Sequence, residues 1–296
     1  MRLRTCLGLF FAFSMLFAVA CGDDDNATTT PAATATAQVT AKPTATIAPP
    51  PEQLDLTGQS ITVFAASSLT AAFTDIGDAF KQSTGADVTF NFGGSSDLRA
   101  QLEQGAAADV FASADTTQLG LAKMSGIVGD DGQIFARNRL VVIIPKANSA
   151  GIATLQDLAK SGVKIAMANE TVPVGKYGRQ FLDKAKADAT FGSTYEDNVL
   201  GNVVTEATNV KEVASAVQLD EVDAGIVYKT DVTDELTADV TVIDIPDSLN
   251  VIATYPITLT TDGSAANEEA AQAFIEFVLV DGQTFLQIHG FLPAGS

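Results

Sequence analysis

Ile61-Thr62-Val63-Phe64-Ala65-Ala66-Ser67-Ser68-Leu69 is the stretch whose reading decides the fold. Ile61 to Ala66 is apolar and partly β-branched, which predicts a short buried strand. Leu69, Phe73, Ile76 and Phe80 follow at i, i+4, i+7 and i+11, on one face of a predicted helix. Ser67 and Ser68 stand at the junction, where a serine is a natural N-cap. A strand-to-helix junction is also a place for an anion, because unpaired N–H groups and the helix dipole both favour negative charge there. Capping alone would account for one such serine. The layout recurs, however, three more times downstream.

Asp87 to Phe92 alternates as a second strand and runs into Gly93-Gly94-Ser95-Ser96-Asp97, then a helix carrying Leu98 and Leu102. The glycines permit close backbone approach, but the segment lacks the lysine and spacing of a P-loop. A strand over Val163 to Ala168 leads to Thr171-Val172-Pro173-Val174-Gly175, where Pro173 suits a first helical turn and Val174 and Gly175 offer free N–H groups. Asn209 can cap a helix in which Val210, Val213 and Val217 share a face. Ala224 to Tyr228 reads as a buried strand ending in a phenol. Asp109 and Asp115, at the two ends of a short strand, read as loop and cap residues rather than a reactive carboxylate pair. Leu140 to Pro145 is an apolar strand that makes a crossing into a second lobe, and Tyr255 to Leu259 makes the return. Helices are expected from Leu155 to Lys160, from Ala266 to Val280 with Ala270, Phe274, Phe277 and Val278 inward, and from Gln283 to His289. The alternation predicts α/β lobes with mostly parallel sheets. Lobe 1 is expected over residues 58–139 and 254–296, and lobe 2 over 140–253.

Composition removes several function classes. The 296 residues are 46% hydrophobic, enough for two packed lobes. Lys and Arg number 17 against 36 Asp and Glu, a formal charge of -19, which argues against a nucleic-acid partner. That charge repels an anionic ligand at long range, so any anion site must work through local dipoles. Cys6 and Cys21 are the only cysteines, so the predicted folded part has no disulfide and no thiol chemistry. With His289 the single histidine, a multi-histidine metal site is excluded.

The N-terminus reads as an address. Arg2 and Arg4 precede an apolar run, Leu7 to Ala20, too short for a comfortable membrane span. It ends at Ala18-Val19-Ala20-Cys21-Gly22, small residues before a cysteine, similar to a bacterial lipoprotein signal whose cysteine is lipidated and heads the mature chain. Ala18 stands where leucine is commonest, and ordinary cleavage near Ala20 or an uncleaved anchor are the other readings. Residues 22–57 are Thr-, Ala- and Pro-rich with few large apolar side chains, which predicts a disordered tether.

Seven motifs in order resemble one family, the periplasmic molybdate-binding proteins, the substrate-binding components of ABC importers for molybdate and tungstate. They are ITVFAASSL, FGGSSDL, ADVFASAD, NRLVVIIPK, VPVGKYG, AGIVY followed by Asp231, and the closing HGF, within residues 59–296. The resemblance implies a two-lobed periplasmic-binding-protein fold of type 2, a hinged clamp with its ligand between the lobes. It implies a molybdate or tungstate site built from the hydroxyls of Ser68 and Ser95, the backbone N–H groups of Val174 and Val210, and the phenol of Tyr228. Val174 stands where alanine is more usual, a mild departure because only its amide is used. Participation of Ser67 and Ser96 is left open. The resemblance further implies no cofactor, an ABC permease with its ATPase as partner, a monomer and an extracytoplasmic location, and the N-terminal residues add the expectation of a lipid anchor at Cys21.

Other readings remain open from residues alone. A serine enzyme needs a base, and the lone His289 lies in a terminal QIHGF helix with no GxSxG elbow anywhere. The same clamp could take sulfate, phosphate or a cation, and Tyr228 could be a plain core tyrosine. An adhesive surface lipoprotein needs no small ligand at all.

Overall fold

The computed structural model describes residues 54–295; the signal segment with Cys21, and nearly all of the tether, lie outside them. Ten strands form two five-stranded mixed sheets flanked by helices. The first sheet contains β1 (Ser60–Ala66), β2 (Asp87–Gly93), β3 (Val110–Ala112), β4 (Gln133–Asn138) and β10 (Ala253–Leu259), in the order β2-β1-β3-β10-β4. The second contains β5 (Leu140–Pro145), β6 (Ile165–Ala168), β7 (Val203–Ala207), β8 (Ala224–Tyr228) and β9 (Val240–Asp244), in the order β7-β6-β8-β5-β9. Each sheet with its helices is one lobe.

In each sheet four strands run one way and one is reversed: β10 in the first, β5 in the second. These are the strands by which the chain enters a sheet from the other one. Arg139 alone separates β4 from β5, and residues 245–252 separate β9 from β10. The other strands bring their carboxyl ends to the cleft between the sheets. A strand that starts at the cleft must therefore run against them. Asn250 ties the crossing together: its Oδ1 accepts from the Leu140 N–H at 3.0 Å and its Nδ2 donates to the Leu140 carbonyl at 2.9 Å.

The helices are α1 (Thr70–Thr84), α2 (Ser95–Glu103), α3 (Thr116–Met124), α4 (Pro173–Ala187), α5 (Tyr195–Gly201), α6 (Val210–Gln218), α7 (Asp234–Thr237), α8 (Glu268–Leu279) and α9 (Gly282–Ile288). The apolar face read from the sequence is the buried one in α1: Phe73, Ile76 and Phe80 are inside. Phe274 of α8 meets Phe73 and Phe80 edge-on, with ring centroids 6.0 and 5.4 Å apart. Such contacts add to the burial of each ring. Ser67 differs from its expected capping role. Ser67–Leu69 form a 3-10 turn ahead of α1, with no side-chain cap on either element. Ser95 likewise opens α2 without a side-chain cap before it, whereas Asn209 does cap α6, its side chain accepting from the Glu212 N–H. The helix expected at 155–160 is a 3-10 helix, Leu155–Ala159.

Phe274→Ala should lower the unfolding free energy by about 3–5 kcal/mol, the usual cost of emptying a fully buried aromatic site. Urea denaturation followed by circular dichroism measures it, and a loss below about 1 kcal/mol would show that this ring cluster does not hold α8 on the sheet.

Candidate functional site

Six chain segments bring their ends to one small cavity between the lobes. Its free volume is about 10 Å³, on the order of what a single water-sized group needs. From the first lobe come Ala66, Ser67 and Ser68, then Gly93, Gly94 and Ser95, then Ala114. From the second come Val172, Pro173 and Val174, then Val210, then Tyr228. All five residues singled out for a ligand, Ser68, Ser95, Val174, Val210 and Tyr228, line it together. Ser67 joins them. Ser96 is not in the wall, and its buried Oγ has no partner.

The wall contains no charged side chain. Its polarity comes from hydroxyls and from helix starts, whose first N–H groups have no partner within the helix. α2 starts at Ser95, α4 at Pro173 with Val174 next, and α6 at Val210. Their positive dipole ends converge on the same space. The Ser95 Oγ accepts from the Ala114 N–H at 3.0 Å, and the Ser68 Oγ lies 2.9 Å from the Tyr255 Oη. The Tyr228 Oη is buried without a hydrogen-bond partner. Burial pushes its pKa well above the ordinary phenol value, with the neighbouring Tyr255 adding to the shift, so the phenol keeps its proton.

Charges stand behind the wall in pairs. Lys176, in the first turn of α4, reaches the buried Asp115 at 3.3 Å. Lys211, in the first turn of α6, reaches the buried Asp231 at 3.3 Å. Burial raises the Asp231 pKa and Lys211 opposes that shift. Asp115 also caps α3 through the Gln118 N–H, and Asp109 accepts from the Thr62 N–H at 2.7 Å, so both carboxylates have the structural roles read from the sequence.

The lobes are closed on each other here. Gly94 abuts Thr208 of the second lobe so tightly that a Cβ would stand 2.3 Å from the Thr208 carbonyl oxygen. Gln118 donates across the cleft to the Thr171 carbonyl at 2.9 Å. Gly175 has the same constraint within its lobe, where a Cβ would meet the Asn169 and Ala168 carbonyl oxygens at 2.1 and 2.3 Å. That packing sets the start of α4 against the end of β6.

Sequence reasoning missed Tyr255, Asn138 and the contact of Gly94 with Thr208. Asn138 carried a usable signal, since a strand rarely holds a buried asparagine without a specific hydrogen-bonding need.

A family model described as bacterial extracellular solute-binding protein matches residues 61–292. The molybdate-binding protein ModA of Mycobacterium tuberculosis is 37% identical over 200 residues, 67% of this chain and 72% of that protein. The ModA of Escherichia coli is 32% identical over 225 residues, 74% of this chain and 82% of its own. The chain belongs to the ModA family of bacterial extracellular solute-binding proteins. The solved substrate-binding domain of a putative molybdenum ABC transporter from Clostridium difficile is 28% identical with a TM-score of 0.57, covering 79% of this chain and 98% of that one. The ModA family comprises substrate-binding proteins of transporters, and the chain is not an enzyme. His289 fits that conclusion, pairing with Asp75 at 2.7 Å and standing outside the wall. The two-lobed α/β fold of periplasmic-binding type, expected from the motifs, is the fold found, and the location is extracytoplasmic.

Gly94→Ala should hold the lobes apart, at a cost to the closed form of about 1–3 kcal/mol for the overlap with Thr208. Small-angle scattering should show a larger radius of gyration than the wild type. An identical radius would mean that the contact relaxes without opening.

Proposed function

We propose that this protein captures molybdate or tungstate outside the cytoplasmic membrane and delivers it to an ABC permease with its ATPase. The ligand is held by the hydroxyls of Ser68 and Ser95, the phenol of Tyr228 and the backbone N–H groups of Val174 and Val210. The observation that carries this reading is their convergence on one small cavity whose wall has no charged group, with a buried Tyr228 Oη left unpartnered. Dianions suit such a wall, because oriented neutral donors and helix dipoles stabilise charge without a counter-ion. A cation finds no carboxylate in it. Hydrogen phosphate would bring an O–H that needs an acceptor, and the lining side chains include no carboxylate to provide one. The named specificity of the ModA relatives supports molybdate over sulfate. Hinged movement of the lobe at 140–253 against the lobe at 58–139 and 254–296 admits and releases the ion. Lipid on Cys21 anchors the chain, with residues 22–57 as its tether and the monomer as the working form. A Bacillus subtilis relative, 30% identical, is named a putative ABC transporter substrate-binding lipoprotein, in keeping with this arrangement.

Calorimetric titration tests the site. Ser68→Ala and Ser95→Ala should each weaken molybdate binding by about 1.5–3 kcal/mol, roughly ten- to a hundred-fold, as one charge-assisted hydrogen bond is lost. Tyr228→Phe should cost less, since its ring still fills the wall. Sulfate, with shorter bonds, should bind the wild type much more weakly. The Tyr228 proton is lost only as pH rises through a value above the ordinary phenol range, so this donor's contribution should be constant from about pH 6 to pH 9. Wild-type affinity in both serine variants, or equal affinity for sulfate and molybdate, would overturn the assignment.

Membrane fractionation tests the anchor. Cys21→Ala should release the chain or leave it unprocessed, and a processed, membrane-bound variant would refute lipidation there.

A further inference from the structure

A hydroxyl can donate or accept, and only its donor role serves an anion. Something must therefore keep the Ser68 proton from being spent inside the protein. The Asn138 Oδ1 accepts from the Arg139 N–H at 2.9 Å, which fixes the amide's orientation. Its Nδ2 then donates to the Thr230 Oγ1 at 2.7 Å and to the Tyr255 Oη at 3.3 Å. With its oxygen accepting from Asn138, Tyr255 has one proton to give, and the Ser68 Oγ lies 2.9 Å away. Ser68 is the only acceptor in reach of the Tyr255 proton among the bonds described, so satisfying that buried proton makes Ser68 the acceptor and leaves its own proton for the cavity it lines. Ser95 reaches the same state by another route, its oxygen accepting from the Ala114 N–H.

We propose that Asn138 and Tyr255 are positioning residues that set the direction of the hydrogen bonds ending at Ser68, making its hydroxyl an obligate donor to the bound oxyanion. The inference rests on the oxyanion reading of the cavity and adds how its polarity is imposed. Neither Asn138 nor Tyr255 lines the cavity, so both act through Ser68. Both are fully buried, out of contact with bulk solvent. The chain is also placed at the crossings. Asn138 ends β4, Tyr255 lies in β10, and Thr230 follows β8 in the other lobe. The donor set of the first lobe is thus oriented from the place where the two lobes join.

A double-mutant cycle read by calorimetry tests it. Tyr255→Phe removes the bond that orients Ser68 and should weaken oxyanion binding roughly three- to tenfold. Asn138→Asp keeps the shape but puts an acceptor where Nδ2 stood. The Tyr255 proton then turns toward that carboxylate, and the Ser68 proton is drawn to the Tyr255 oxygen. Its loss should match that of Ser68→Ala, roughly tenfold or more. In a Ser68→Ala background Tyr255→Phe should cost less than about twofold, because no donor remains to orient, and Asn138→Asp should keep only the part of its loss that comes from its added charge. Thermal melting of the unliganded variants checks folding, and either variant alone decides the matter if the other does not fold. Full losses retained in the Ser68→Ala background, or wild-type affinity in Asn138→Asp, would overturn the relay. If the wild type binds sulfate and not molybdate, the ligand's identity falls and the cycle is run with sulfate. If it binds neither, the oxyanion reading and the relay fall together.

Discussion

Buried donors left without protein partners are the feature on which the rest of this structure depends. A phenol such as Tyr228, enclosed at the join of two lobes with nothing to receive its proton, costs about 1–3 kcal/mol relative to a satisfied group. The three helix starts facing it add N–H groups of the same kind. Closing the lobes over an empty site removes water from all of them at once. Closing them over the oxyanion proposed here would give each an acceptor. The difference between those two states is the free energy available to drive closure on ligand.

The topology places hydroxyls and helix starts from two lobes against one cavity. Strands that end at the cleft deliver helix starts there, which is where ligands sit in open α/β sheets. The reversed strands β5 and β10 are a consequence of crossing at the cleft, and they bring Tyr255 and Asn138 within reach of Ser68. The crossings thus carry the groups that hydrogen-bond to Ser68 at the edge of the cavity.

Charge is handled in the same local fashion. The chain as a whole is strongly acidic, at a formal -19, yet the two buried aspartates behind the wall each lie 3.3 Å from a lysine. Lys176 and Lys211 sit at helix starts, a position that disfavours a free cation. Their buried aspartate partners offset that cost and keep the lysines out of the wall. The cavity wall is left with hydroxyls and helix-start dipoles alone.

What the sequence determined by itself was the set of elements and the donors carried at their ends. Strand-to-helix junctions have local signatures, so Ser68, Ser95, Val174 and Val210 were legible from hydroxyls, a proline and apolar spacing, and the motif family joined Tyr228 to them. Some elements carried too little pattern to be read, among them the short helices α5 and α7 and the strand β7, whose faces are half exposed. Tertiary structure decided what each donor does. Ser67 was a cap by sequence and is not one by structure, because a 3-10 turn intervenes before α1. Ser68 meets Tyr255 across 187 residues, and Asn138 meets Thr230 across 92. No local pattern encodes such pairs, since each depends on strand order and on where the chain crosses between sheets. The closeness of Gly94 to Thr208 is of the same kind. A glycine before a helix is read locally as freedom of the backbone, and only the packed lobes show that the space it leaves is filled by the other lobe's carbonyl.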